Sequence, residues 1–388
     1  MQNDKVAEIK GEVEVKALFI IHCQDPIYGA SRSVSLLIRN LDADVDLIFP
    51  RKMKAEGKIT SEQIREFYGP RVRNVWFLWQ PARLTVMEEH FPAKVHIKNF
   101  VKEFLYMLEK FKYKEIFKNG NYDFIHLNSV ILYPMLDKRW PMFLHVRESV
   151  RNPLMIPDRL FSKTLKQAHG IISINPGAAE RIPKHVAPSL MLINPFDQTS
   201  VANVDLLQAR AMYGLSGKET VYAIIGTIID YKGVDFVIRA FQKAKMENSV
   251  LLVVGNDARQ DEYIQYVKEL AAGDTRIRFT GEIEQTETVY RVIDYVVRGD
   301  TSAGLGRTLY EALYSGCGVI NPMDKITNSV PNCSPEMRER VYFYPLRDEA
   351  ALTRAFEETQ GIRFEQRSYY SNVKEYMKEF LQFINENK

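Results

Sequence analysis

A glycine-rich loop that leads directly into a helix is the stretch of this sequence best suited to chemistry. The β-branched run Tyr295-Val296-Val297 predicts a buried strand, Gly304-Leu305-Gly306 follows it, and a helix is predicted from Arg307 to Ser315. The first amides of a helix have no partner within the helix, and the helix dipole adds partial positive charge there. A phosphate is the natural occupant of such a site.

Glu311 lies about one helical turn beyond that start. A carboxylate at this place can accept hydrogen bonds from the diol of a ribose. Gly316 stands where the helix is expected to end. These features predict a nucleotide site, but a strand, loop and helix whose glycines only permit a tight turn would show the same pattern.

Three more predicted strands of the second half end in glycine, at Gly226, Gly255 and Gly281. The segment Asp230-Tyr231-Lys232-Gly233 follows the first of them, and Lys232 is a candidate cation for a phosphate group. Strands that alternate with helices and end in glycine predict a Rossmann-like α/β domain.

The first half repeats this organisation. Residues 16–22 predict a buried strand, and a glycine turn at Gly29 leads into a helix. Two histidines, His126 and His145, stand at predicted strand ends, where parallel sheets bind their ligands. We assign His126 a structural role and treat His145 as a candidate for hydrogen bonding to a substrate hydroxyl.

Length and charge narrow the class of protein. The 388 residues predict two domains, and neither a membrane-spanning apolar run nor a signal-peptide core is present. The three cysteines form no disulfide or metal pattern, which favours a cytosolic location. Residues 1–200 carry 29 basic and 22 acidic side chains, and the remainder carries 23 and 27. The basic first half suggests either an anionic partner, such as a membrane surface, or ordinary scatter.

Two segments of the first half have alternative interpretations. The predicted helix from Lys98 to Lys118 carries an apolar stripe flanked by lysines, which suits either a membrane surface or packing on a sheet. We favour packing on a sheet; the stripe comprises Phe100, Phe104, Leu105, Leu108, Phe111 and Phe117. We expect Asp44-Val45-Asp46 to be a solvated loop rather than a metal site, because oxygen-based ion sites need more ligands.

The stretch from Asp294 to Gly316 resembles the donor-site signature of the retaining GT-B glycosyltransferases of family 4, the group 1 glycosyl transferases. Asp294, Gly304, Gly306, Glu311, Ala312 and Gly316 fall on that signature in register. Ala303 stands where the family has a first glutamate, and Gly299-Asp300 replaces a proline-serine pair. Earlier, Gly29 matches a glycine loop, Asn194 and Asp197 match the family's segment between the domains, and Thr227 replaces an arginine.

The resemblance implies which residues meet the donor. It implies that Lys232 stabilises the leaving diphosphate, that His145 lies near the donor sugar, and that no metal or other cofactor is needed. The missing cation at Thr227 could be supplied by Arg298 or Arg307. The donor-binding residues implied are Gly29, Gly226, Thr227, Lys232, Gly255, Glu282, Ile283, Ala303, Gly304, Leu305, Gly306, Arg307, Thr308 and Glu311.

The fold implied is GT-B, an α/β architecture of two Rossmann-like domains that face a central cleft. Residues 1–197 are expected to form the acceptor domain, joined by a C-terminal helix at 372–388, and residues 198–371 the donor domain. The reaction implied is transfer of a sugar from a nucleotide-sugar donor to a hydroxyl of a glycan or lipid-linked acceptor, with retention. We expect no nucleic-acid partner, and a cytoplasmic location that extends to peripheral contact with a membrane. A weakened accessory subunit and a nucleotide-sugar epimerase on the same fold are the alternatives.

Overall fold

The computed structural model describes residues 15–22, 30–51, 60–82, 93–148, 156–256, 262–301, 305–323, 330, 333–364 and 367–388. Two compact units make up the chain. The first comprises residues 1–195 and 373–388, and the second comprises residues 196–372. Each is built on its own parallel sheet.

The sheet of the first unit has seven parallel strands in the order β3-β2-β1-β4-β5-β6-β7. From Ala17 to Ile20, the interior strand β1 is a run of fully buried apolar residues, as expected for a parallel sheet covered on both faces. The strands are β1 (Lys16–Ile20), β2 (Asp44–Pro50), β3 (Val72–Leu78), β4 (Phe124–Leu127), β5 (Met142–Val146), β6 (Gly170–Ser173) and β7 (Ser189–Met191).

Helices connect these strands, and the local sequence sets their starts. Thr60 and Gln63, for example, form a reciprocal capping box at the start of the second helix. The helices are α1 (Ala30–Arg39), α2 (Ser61–Tyr68), α3 (Ala93–Gly120), α4 (Asp158–Leu165) and α5 (Pro176–Ala179), with a 3₁₀ helix at Val130–Met135.

The second unit has six parallel strands in the order β10-β9-β8-β11-β12-β13. The strands are β8 (Thr220–Ile225), β9 (Ser249–Val254), β10 (Ile277–Gly281), β11 (Tyr295–Val297), β12 (Gly318–Met323) and β13 (Val341–Pro345). The helices are α6 (Leu206–Met212), α7 (Val234–Lys243), α8 (Glu262–Ala271), α9 (Thr286–Val292), α10 (Arg307–Tyr314), α11 (Pro335–Glu339) and α12 (Glu349–Thr359), with 3₁₀ helices at Thr199–Asn203 and Asp230–Lys232.

The last helix, α13 (Val373–Asn387), belongs to the first unit. Its buried residues recur at helical spacing, and the Phe380 ring meets Phe124 edge-on at 6.0 Å between centroids. The return of the C-terminal helix to the first domain is therefore as predicted. The second unit begins at Phe196 and ends at Asn372. The Phe196 ring stacks on Tyr310 of α10, and the Phe196 carbonyl accepts from Asn372 N.

Two sequence interpretations in the first unit are wrong. Asp44 and Asp46 do not lie in a solvated loop but within β2. The buried carboxylate of Asp46 accepts hydrogen bonds from Asn74 and from the Tyr122 hydroxyl, the latter at 2.7 Å. These partners hold the triplet in the core of the sheet.

The second correction concerns α3. The apolar stripe that we expected on the sheet points largely to solvent, with Phe100, Phe104, Leu108 and Phe111 each more than half exposed. Of the predicted stripe, only Phe117 is buried. The buried face of the helix instead carries Glu103 and Glu109, which accept hydrogen bonds from the backbone amides of Ala82 and Trp79.

Candidate functional site

A pocket in the second unit lies at the carboxyl ends of β8 and β11. Its lining brings Gly226 and Thr227 after β8 together with Lys232, with Arg298 and Asp300 after β11, and with Thr308 in the first turn of α10. These residues come from three separate segments of the chain. Because strand carboxyl ends carry the ligand sites of open α/β sheets, this pocket is the candidate functional site.

Three charged side chains form its polar wall. Lys232 Nζ donates to Asp300 Oδ1 at 2.7 Å, and Arg298 Nη2 contacts Asp300 Oδ2 at 3.0 Å. Arg298 is almost fully buried and also donates to Asn321 Oδ1 at 2.9 Å. One carboxylate therefore joins two cations, and the cluster keeps a net positive charge.

The Lys232 turn and the loop after β11 approach each other closely. Gly233 adopts a left-handed conformation, with φ of 60°, between the 3₁₀ helix and α7. A Cβ atom there would lie 2.0 Å from the carbonyl oxygen of Gly299, so only glycine fits. Thr301 N also donates to Tyr231 O at 2.9 Å. The two segments that carry Lys232 and Asp300 are thus fixed against one another.

The start of α10 supplies backbone donors at the same pocket. Gly306 is its N-cap residue, and a glycine has no side chain with which to cap the first amides of the helix. Thr308 in its first turn lines the pocket beside Lys232. An anion in the pocket would therefore meet both a lysine and a helix N-terminus.

Glu311 lies one turn further along α10 and is largely buried. Its Oε1 accepts from Arg307 Nη2 at 2.7 Å, and its Oε2 accepts from the Tyr290 hydroxyl at 2.9 Å. The Arg307 guanidinium also lies over the Phe196 ring, 4.8 Å from its centroid. Arg307 is thus engaged with Glu311, whereas Arg298 is the arginine that lines the pocket with Lys232.

A second cavity lies beside β10 and α9. Glu282 and Ile283 line it, together with Tyr213 and Arg278. Glu282 is exposed, and its Oε2 accepts from Asn256 Nδ2 at 2.7 Å. Gly255 packs so closely on Gly226 that a Cβ atom would lie 1.8 Å from the Gly226 carbonyl oxygen. The loops after β8, β9 and β10 therefore form one continuous edge of the sheet.

His145 lies in the first unit and is fully buried on β5. Its Nδ1 lies 3.0 Å from His126 Nε2 and 3.3 Å from Arg147 Nη2. Because the guanidinium only donates, His145 Nδ1 accepts, and His126 donates through Nε2–H. Burial, and then the Arg147 charge, hold the pKa of both imidazoles well below the usual value, so both rings are neutral.

The structure thus groups part of the predicted site in one pocket: Gly226, Thr227, Lys232 and Thr308. Glu282 and Ile283 line the second cavity, and His145 lies in the other unit. Gly29, Ala303 and Gly304 fall outside the described residues. The sequence analysis missed that Asp300 bridges the two cations, and a pairing 68 residues apart leaves no local signal.

Comparison with known proteins places this geometry in a structural class. Residues 208–322, which include this pocket, match the family model described as glycosyl transferases group 1. Along 96% of the chain, the structure resembles HepE from Anabaena, solved in complex with UDP and glucose, with a TM-score of 0.66 at 14% identity and all of that chain covered. The chain has the GT-B fold. The prediction of two Rossmann-like domains of this class is confirmed.

Two curated proteins resemble parts of this GT-B chain. It is 29% identical over 146 residues to alpha-monoglucosyldiacylglycerol synthase of Streptococcus pneumoniae, over 36% of this chain and 32% of the relative. It is 30% identical over 171 residues to D-inositol 3-phosphate glycosyltransferase of Mycobacterium sp., over 42% and 36%. The matched segments span about a third of these relatives. Across the described residues, no helix is long and apolar enough to cross a membrane.

Proposed function

We propose that this protein is a retaining glycosyltransferase that moves a hexose-type sugar from a nucleotide-diphosphate donor to a hydroxyl acceptor. One observation carries the proposal: Lys232 and the start of α10 line the same pocket. A diphosphate bound there would meet a cation and helix amides together. The match of residues 208–322 to group 1 glycosyl transferases supports the same function.

The chemistry required is stabilisation of the departing nucleoside diphosphate. As the bond from the anomeric carbon to the phosphate oxygen breaks, negative charge grows on the diphosphate. Lys232 and the first amides of α10 would stabilise that charge, and loss of one such group typically costs ~10²–10³ in rate. On this proposal the acceptor hydroxyl oxygen bonds to the anomeric carbon on the face that the phosphate leaves, and the hydroxyl proton passes to the departing phosphate oxygen. No metal and no enzymatic nucleophile are needed.

Arg298 is the second cation of the proposed clamp. It replaces the positive charge that Thr227 lacks, because Arg298 and Lys232 bind the two oxygens of one carboxylate in the same pocket. Before the donor binds, the Asp300 carboxylate is therefore paired with both cations. A diphosphate has to draw Lys232 from Asp300, so donor binding exchanges one anion for another.

The nucleoside is proposed to extend along the edge of the sheet. Glu311 would accept hydrogen bonds from the ribose, and the loops with Gly255, Glu282 and Ile283 would hold the base. Glu311 already binds Arg307 and Tyr290, which fix the orientation of its carboxylate. We propose UDP as the first nucleotide to test, because the structural neighbour HepE was solved with UDP and glucose.

The class of sugar is proposed from the residue at position 303, and the class of acceptor from the names of the relatives. At position 303 a methyl group replaces a carboxylate, which favours a pocket that is less selective at one sugar hydroxyl, or a deoxy sugar. The names of the relatives refer to a diacylglycerol glucoside and an inositol phosphate. They support a hydroxyl acceptor of the glycan or lipid-linked class, which would contact the first unit and could bring the protein to a membrane.

A donor panel with product analysis tests the proposal. The full chain is incubated with UDP-sugars and candidate acceptors, and free UDP, glycosylated acceptor and remaining donor are measured. Free UDP together with a glycosylated acceptor is the expected result. An isomerised donor would identify an epimerase. Donor binding without either product would identify an accessory subunit, an alternative favoured by the engagement of Lys232 with Asp300.

A further inference from the structure

A stripe of large apolar side chains runs along the exposed side of α3. We call it the α3 apolar face; its members are Ile97, Phe100, Val101, Phe104, Met107, Leu108 and Phe111. Each is between 53% and 65% exposed. The residues repeat every three or four positions, so they form one continuous band about 20 Å long, from the rise per residue of a helix. Contiguous exposed apolar surface of this kind marks an interaction site.

The helix cannot rotate to bury this face. On its opposite side, Glu103 Oε2 accepts from Ala82 N at 3.0 Å, and Glu109 Oε2 accepts from Trp79 N at 2.7 Å. The Tyr113 hydroxyl donates to Trp79 O at 2.9 Å, and Tyr106, Tyr113 and Phe117 are buried. These contacts hold α3 on the first unit by its polar and aromatic side. The apolar side therefore faces away from the unit.

The charges around the face are mostly basic. From residue 96 onward, the exposed charged residues of α3 are Lys98, Lys114 and Lys118, against one exposed carboxylate, Glu115. Glu103 and Glu109 are buried and engaged. A second copy of the helix laid against the first would bring lysines together, which is unfavourable. An anionic surface complements both the lysines and the apolar stripe.

We propose that the α3 apolar face is a membrane-binding surface that lies in the interface of a bilayer containing anionic lipid. The phenylalanines would enter the boundary between headgroups and acyl chains, and the lysines would contact lipid phosphates. The inference is independent of the glycosyl transfer proposed above. It rests only on the exposure, the anchoring and the charge of α3.

Vesicle co-sedimentation of the full chain tests this inference. Phosphatidylcholine vesicles are compared with vesicles that also contain phosphatidylglycerol, at low and high salt. We expect binding that requires phosphatidylglycerol and weakens with salt. The variant Phe104→Ser/Phe111→Ser should bind at least about tenfold more weakly, because it removes two large apolar side chains from the buried area.

The matched control is Leu207→Ser/Ile362→Ser, which removes two exposed apolar side chains from the other unit, neither of which lines the pocket or the second cavity. It should bind vesicles like the wild type. Lys114→Glu/Lys118→Glu should reduce binding to anionic vesicles, and it leaves the apolar face intact should the serine variant fail to fold. UDP binding by calorimetry should be unchanged in all variants that fold.

Several results would overturn the proposal. They are absence of wild-type sedimentation with anionic vesicles, equal binding by the serine variant, and insensitivity to both salt and the lysine reversals. A wild-type dimer in light scattering that becomes monomeric in the serine variant, without vesicle binding, would assign the face to a second copy instead.

Discussion

Replacement of Asp300 by asparagine would separate the two roles that its carboxylate has in the candidate site. In the protein, the Asp300 carboxylate pairs with Lys232 at 2.7 Å and with Arg298 at 3.0 Å. On our proposal the donor diphosphate takes the place of this carboxylate. Asp300→Asn should therefore destabilise the empty protein and strengthen the binding of UDP.

The burial of the partners sets the size of both effects. Removal of one partner of a fully buried ion pair costs ~3–5 kcal/mol. The Lys232 side chain is 34% exposed and Arg298 retains Asn321, so we expect about 2 kcal/mol of destabilisation, less than that range. Loss of the competing anion should tighten UDP binding about tenfold, which corresponds to ~1.4 kcal/mol.

Calorimetry and thermal unfolding measure these quantities on the same preparations. At a UDP concentration ~100 times the wild-type dissociation constant, stabilisation should rise from ~2.7 kcal/mol in the wild type to ~4.1 kcal/mol in the variant. Asp235→Asn is the control, because Asp235 also pairs with an arginine, Arg239 at 2.8 Å, but does not line the pocket. It should lose stability without a change in UDP affinity. Weaker UDP binding by Asp300→Asn would refute the exchange, since the carboxylate would then be a support for the cations.

Four further outcomes test the remaining assignments. Lys232→Ala should lower turnover at least ~10-fold in a folded protein, because it removes the charge that stabilises the leaving group, and near-normal steady-state turnover would contradict this role. Glu311→Ala should weaken nucleotide binding by ~1–3 kcal/mol in calorimetry, and unchanged affinity would rule out ribose contact. The absence of a glutamate at Ala303 predicts that a deoxy or epimeric donor is used at least as well as the gluco-configured one; a kcat/KM preference above ~10⁴ for the gluco sugar would contradict it. The free energy of unfolding should fall as pH drops below ~6.5, by up to ~1.4 kcal/mol per pH unit per histidine, because the unfolded chain protonates His126 and His145 while the folded first unit keeps them neutral. Denaturant titrations across that range should show a smaller slope in His126→Gln, and an identical slope would assign the effect to other groups.

Local sequence pattern was sufficient for most of the fold. The apolar runs that end at Gly226 and Gly255 became β8 and β9, because a strand buried on both faces has to be apolar along its length. The strand β13 and the helices α4, α9, α11 and α12 were not predicted individually. Their burial depends on neighbours that are distant in sequence, such as the packing of Phe356 in α12 on Tyr222 in β8.

The interpretation of α3 failed for a definite reason. Periodicity identified a helix with an apolar side, but it does not state which side meets the protein. Glu103 and Glu109 lie inside because their partners are backbone amides at Ala82 and Trp79, 21 and 30 residues earlier in the chain. The hydrogen bonds of these buried carboxylates to backbone amides therefore decided which side of α3 packs on the protein, and the apolar stripe did not. Such tertiary contacts cannot be read from the local sequence.

The candidate site was predicted in its parts but not in its charge balance. Spacing singled out Lys232 as a candidate, and the resemblance implied that Thr227 leaves the expected clamp one cation short. The structure adds that Arg298 and Lys232 share Asp300, so the three side chains together carry one positive charge rather than two. A diphosphate carries more negative charge than this cluster can neutralise while Asp300 remains in place. On our proposal, release of Asp300 from Lys232 and the amides at the start of α10 must therefore supply the rest, which makes the response of Asp300→Asn to UDP the decisive measurement on this site.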